Sequence, residues 1–286
     1  MNQPAFHLSM PVVQDSGVIF ASPHSGSHYP QDLLARSILD EHSIRSSEDA
    51  FVDQLFAAAP HHGAALICAG VPRAYVDFNR SPDELDPAVI AGVRPQGHNP
   101  RVASGLGVIP RVVANSQPIY RGKLTMEEAR RRISTYWQPY HNEVQRLLRA
   151  TRERVGQAVL VDCHSMPHEA MDGVARSTGR RADVVLGDRF GAAASSEVVD
   201  RIEAAFAAAG FVVSRNSPFA GAYVTQAYGR PSRNQHAVQI EIDRALYMDE
   251  VDIRPNADFE AVRARLEQVI GEIALIGREE RPLAAE

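Results

Sequence analysis

Two apolar runs in this chain each end in a histidine. Val18-Ile19-Phe20-Ala21-Ser22-Pro23 leads into His24-Ser25-Gly26, and Val159-Leu160-Val161-Asp162-Cys163 leads into His164-Ser165. Both runs are short and continuously apolar, as buried strands are. In α/β folds, ligands and catalytic groups collect at the carboxyl ends of such strands. Two imidazoles delivered to one sheet edge suggest a metal site. Asp162 lies two residues before His164 and shares its face in an extended strand, so it could orient that imidazole or a neighbour. Taken singly, His24 is equally a polar turn residue and Asp162 equally a loop cap.

A hydrolytic zinc site takes His, His and one carboxylate and keeps a fourth position open. Ser46-Ser47-Glu48-Asp49 reads as the opening of a helix, where carboxylates are favoured by the dipole alone. Either Glu48 or Asp49 is placed to supply the third ligand, and spacing does not choose between them. Val238-Gln239-Ile240-Glu241-Ile242 sets Glu241 inside an apolar strand, a costly position unless the carboxylate is paired or used. Facing metal-activated water, it would be the general base. Val76-Asp77-Phe78-Asn79-Arg80 ends in a planar guanidinium fork suited to a carboxylate or carbonyl oxygen; its structural alternative is an ion pair with Asp77 or Asp83. His61-His62, before Gly63, is explained by the end of a helix. The chain has no Gly-x-Ser-x-Gly elbow, and Gly105-Leu106-Gly107 lies in an irregular stretch rather than after a strand.

The elements that must position these groups alternate. Residues 17–22, 64–69, 74–78, 158–163, 183–187, 211–214 and 237–242 read as strands, and 48–59, 125–152, 194–209 and 257–275 as helices. Thr125 with Glu128 has the form of a capping box, Pro139 should start or kink part of its helix, and Gly210 suits a left-handed cap. Strands separated by helices predict a mixed, mainly parallel sheet flanked by helices. No linker or repeat divides the 286 residues, so one domain over 1–286 is expected. The stretch from Ser81 to about Arg121 has no period; a loop that long is expected to pack beside the site or cover it.

Bulk properties exclude other classes. A formal net charge of -5 lacks the basic footprint of a nucleic-acid binder, and Arg130-Arg131-Arg132, preceded by Glu127-Glu128, reads as a solvated helix face. No signal-peptide pattern or membrane-spanning run is present. Cys68 and Cys163 form no disulfide framework, so a reducing cytoplasm is expected.

Together these residues resemble the N-formylglutamate amidohydrolase family, similar in design to zinc carboxypeptidases and acylamino-acid deacylases. The resemblance runs from about Val18 to Asp249, through Ser22-Pro23-His24-Ser25-Gly26, Glu48-Asp49, Val76-Asp77-Phe78-Asn79-Arg80, Asp162-Cys163-His164-Ser165, Gly221-Ala222-Tyr223 and His236-Ala237-Val238-Gln239-Ile240-Glu241. It implies a zinc carboxypeptidase-like fold, zinc (Zn2+) held by His24, Asp49 and His164 rather than by Glu48, and Glu241 as base. It also implies substrate contacts from Asn79, Arg80 and Tyr223, with Arg80 counted among the catalytic groups. The partner would be a small N-acyl amino acid, with N-formyl-L-glutamate foremost and histidine catabolism as the setting. Another N-acyl amino acid or a peptide, or metal binding without catalysis, are the alternatives. Ala220 and Gln226 stand where basic residues are usual in the family, which implies weak discrimination for a second, side-chain carboxylate.

Overall fold

The computed structural model describes residues 3–94, 99–174 and 181–278. Its main sheet has seven strands: β1 (Phe6–Ser9), β2 (Val18–Ser22), β3 (Ala65–Ala69), β4 (Ala158–Met166), β5 (Val184–Gly187), β6 (Val213–Arg215) and β7 (Gln235–Asp243). Their order is β1-β3-β2-β4-β7-β5-β6. The pairs β2·β3, β2·β4, β4·β7 and β5·β6 are parallel, while β1·β3 and β5·β7 are antiparallel. The fold is mixed α/β with a mainly parallel sheet, as the alternation of elements predicts.

Period-two alternation explains how the sheet is covered and where it is not. Val18, Phe20, Val159, Val161, Cys163, Val238, Ile240 and Ile242 face one layer, packed against the helices Ser196–Ala208 and Phe259–Ala274. Ile19, Ala21, Ala158, Leu160 and Ala237 face the other, against the helix Gln138–Val155. Along β4 and β7 that second face changes character. After Leu160 come Asp162 and His164, and after Ala237 come Gln239 and Glu241, so the apolar stripe gives way to polar groups at the carboxyl ends.

Several expectations are corrected. Residues 74–78 form no strand: the Tyr75 and Val76 amides donate back to Pro72 and the Asp77 amide donates to Val108 O, so this apolar run is buried as a turn. The helix expected over 48–59 shrinks to Val52–Leu55 and a 3-10 turn, Ala59–His62. The Asp49 amide donates to His24 O, and Phe51 sits at φ 66°, so the chain is not helical where Asp49 stands. β4 runs to Met166, which puts His164 within the strand rather than beyond it. The helix begun at Met126 passes through a π turn, Ile133–Trp137, before Gln138–Val155, where Pro139 has no N–H to donate. Thr125 accepts from the Glu128 amide at 3.1 Å, but the Glu128 carboxylate turns to Arg36 and Arg132 instead of closing the capping box. No helix among the described residues is long and apolar enough to cross a membrane.

Candidate active site

His24, Asp49 and His164 meet at the carboxyl edge of the sheet. One ligand atom from each lies within 4.8 Å of the other two, and all three residues are buried. His24 follows β2 in a turn that Gly26 makes possible, because a Cβ there would collide with the Val71 carbonyl oxygen. His164 comes from β4, and Asp49 from the segment tied to His24 by its own amide.

The two rings are held in the same way. Asp77 Oδ1 lies 2.7 Å from His24 Nε2, and Asp162 Oδ2 lies 3.0 Å from His164 Nε2. A carboxylate on Nε2 fixes that nitrogen as the protonated one and turns Nδ1 inward as a lone-pair donor. His24 Nδ1 and His164 Nδ1 are then 3.0 Å apart, with Asp49 Oδ2 at 3.4 and 3.0 Å from them. Three potential metal-ligand atoms thus converge. Burial opposes charge on His164, yet Asp162 and Asp49 raise its pKa well above the ordinary histidine value. Burial also opposes the Asp49 carboxylate, and hydrogen bonds with His164 and His24 hold its pKa well below the usual range. The centre attracts positive charge, and its two imidazoles and one carboxylate suit a divalent ion such as zinc.

Glu241 lies beside this centre, its Cα paired with that of His164 across β4 and β7. Gln239 Nε2 donates to Glu241 Oε1 at 2.7 Å, and the Ala222 amide donates to Gln239 Oε1 at 3.0 Å. Burial and the nearby Asp49 charge push the Glu241 pKa up to about 7 despite His164, the range suited to a proton-transfer group. Arg244 Nη2 donates to Asp49 Oδ1 at 2.9 Å, and Arg244 Nε donates to Ser165 Oγ at 3.1 Å. Together His24, Asp49, His164, Gln239, Glu241 and Arg244 line a cavity of about 540 Å³, whose lining also includes Arg101, Leu106 and Val112 from the irregular 81–121 stretch. That stretch does pack beside the site.

Glu48 turns away, bound by Arg45 Nε at 3.0 Å and by the Tyr29 hydroxyl at 2.9 Å. Arg80 is 7% exposed, lines the cavity and pairs with neither Asp77 nor Asp83; it donates to Leu106 O and Asn79 O. Asn79 also lines the cavity, accepting from the Val224 amide and donating to Asp162. Tyr223 lies outside the cavity wall, its ring packed against Trp137 and His141. Asp77 as the partner of His24, Gln239 as that of Glu241, and Arg244 as that of Asp49 were not read from the sequence. Asp77 is remote along the chain from His24, and Arg244 from Asp49; for Gln239 only strand alternation hints that it shares a face with Glu241, two residues on.

Fold and site thus define a class: a mixed α/β protein with a buried His-Asp-His centre and an adjacent carboxylic acid in a cavity at the sheet edge. Residues 16–248 match the model of the N-formylglutamate amidohydrolase family, and the chain belongs to that family. N-formylglutamate deformylase of Pseudomonas aeruginosa is 29% identical over 271 residues, 92% of this chain and 94% of that protein. N-formylglutamate deformylase of Pseudomonas putida is 28% identical over 242 residues, 82% and 83% of the two chains. A crystal structure of N-formylglutamate amidohydrolase from Ralstonia eutropha aligns at a TM-score of 0.87 and 34% identity, over 94% of this chain and 96% of that one.

Proposed function

We propose that this protein is a zinc-dependent amidohydrolase that cleaves N-formyl-L-glutamate to formate and L-glutamate. The observation that carries the reading is the convergence of His24 Nδ1, His164 Nδ1 and Asp49 beside a buried glutamate of raised pKa. The substrate name rests on family membership and on relatives that are N-formylglutamate deformylases.

Zinc held by His24, Asp49 and His164 would polarise the formyl carbonyl and lower the pKa of water. The chain's own residues do the rest. Glu241, ionised, takes a proton from water as the water oxygen adds to the formyl carbon. It gives that proton to the glutamate nitrogen as the C–N bond breaks, so the base ends each cycle as it began. Gln239 fixes Oε1 of Glu241, which leaves Oε2 for the proton. Arg244 holds one oxygen of Asp49 and so orients the other. Arg80, poor in protein partners and facing the cavity, receives the α-carboxylate. Burial of the whole set strengthens each of these interactions.

Glu241→Gln keeps shape and hydrogen bonding but cannot accept the proton. It should bind a full complement of zinc and lose about 10²–10⁴-fold in kcat. Turnover near the wild-type rate would remove Glu241 from the mechanism.

A further inference from the structure

Four arginines line the cavity: Arg73, Arg80, Arg101 and Arg244. Two are neutralised by carboxylates, Arg73 by Asp77 at 2.9 Å and Arg244 by Asp49 at 2.9 Å. Arg80 and Arg101 are not: among the described residues neither has a carboxylate within 4.0 Å. Arg80 is buried and spends its donors only on the Leu106 and Asn79 carbonyls. The Arg101 guanidinium has no hydrogen-bond partner among the described residues, although its backbone amide is fixed by Asn99. Arg80 is buried and Arg101 is exposed; a buried guanidinium with no ion pair is costly, and a second unpaired guanidinium lining the same cavity offers a place for a second negative charge.

We infer that Arg101 is the specificity-determining residue for the side-chain carboxylate of a dicarboxylic N-acyl amino acid, with Arg80 taking the α-carboxylate. The inference rests on the proposed deformylase reading for the identity of the substrate, and on the cavity's charge for its dianionic class. Burial lowers the pKa of Arg80; the Asp77 and Glu84 charges oppose that and the Arg73 and Arg101 charges add to it, so Arg80 and Arg101, which line the same cavity, are electrostatically coupled. The departure at Ala220 and Gln226 then has a structural answer. Ala220 lines the cavity without a charge and Gln226 is not part of the lining, while Arg101 lines it from the 81–121 stretch.

The test uses Arg101→Gln in the zinc-loaded enzyme, with N-formylglutamate and its neutral isostere N-formylglutamine. The ratio of kcat/KM for the two substrates should fall about 10- to 100-fold, as expected for loss of a charge-assisted hydrogen bond. An unchanged ratio would overturn the assignment. Calorimetric binding of glutarate, a dianion with the glutamate carbon skeleton, gives a readout without turnover. Wild type should bind glutarate more tightly than butyrate, and Arg101→Gln should close that gap. If the gap closes but wild type releases no formate, Arg101 stands and the deformylase reading fails. Equal glutarate affinity in the two proteins rejects the role of Arg101 whatever the activity.

Discussion

His24 and His164 present their Nδ1 atoms to each other at 3.0 Å, and each ring is backed on Nε2 by its own carboxylate, Asp77 or Asp162. Residues 140 positions apart are thus posed as a matched pair. The pose needs positive charge between the rings, and it is the carboxylates behind them that set it.

Asp77→Asn should therefore weaken metal binding without touching a ligand. Loss of such an orienting carboxylate commonly costs about 10- to 100-fold in affinity. Competition against a zinc-chelating dye, with circular dichroism to confirm folding, measures it. Unchanged affinity would show that the His24 ring is held by packing alone.

The choice between adjacent carboxylates gives a second prediction. Asp49→Ala should abolish stoichiometric zinc binding, while Glu48→Gln, which alters only contacts to Arg45 and Tyr29, should retain it. Metal analysis after dialysis decides; retained zinc in Asp49→Ala would remove Asp49 from the ligand set.

In the metal-free protein, Glu241 makes stability depend on pH. Its folded pKa of about 7 lies above the unfolded value of 4.5, so the fold favours the neutral acid. The contribution is full below 4.5 and is lost as pH rises through 7, by at most about 1.4 kcal/mol per pH unit. Metal-free Glu241→Gln should gain thermal stability relative to metal-free wild type between pH 5 and pH 8, by about 2 °C or more for a chain of this size. A difference in Tm that is flat with pH would contradict the assignment.

His141 has the opposite sign. It is fully buried, Nε2 donates to Phe78 O at 2.8 Å, and Nδ1 accepts from the Tyr228 hydroxyl at 2.6 Å. Burial depresses its pKa to about 3 from 6.5. Its stabilising effect is present above 6.5 and erodes as pH falls towards 3, because the unfolded chain takes the proton first. Nitrogen chemical shifts at pH 5 should show a neutral Nε2–H ring, and Tyr228→Phe should cost about 1–3 kcal/mol by orphaning Nδ1. A protonated ring at pH 5 would contradict this account.

Much of the frame was legible because strand burial leaves a strong trace. The runs before His24, before His164 and around Glu241 lie within β2, β4 and β7, and their polar endings are the site. Phe6–Ser9 was missed because four residues with alternating burial carry little signal. Residues 74–78 misled because apolar side chains can be buried in a turn whose amides find partners outside a ladder. Asp49 was sought at a helix start, but its position is set by the His24 carbonyl. The antiparallel direction of β5 and the pairing of Asp77 with His24 and of Arg244 with Asp49 depend on contacts between remote segments. Arg244 and Asp49, for example, are 195 residues apart, a relationship no local pattern records.

If one metal centre drives hydrolysis of N-formylglutamate, formate release must follow a zinc titration. Protein stripped with a chelator should release no formate, and activity should rise linearly with added zinc and stop at one equivalent per chain. Full formate release in the continued presence of chelator, or stoichiometric zinc uptake with no formate produced, would contradict the account.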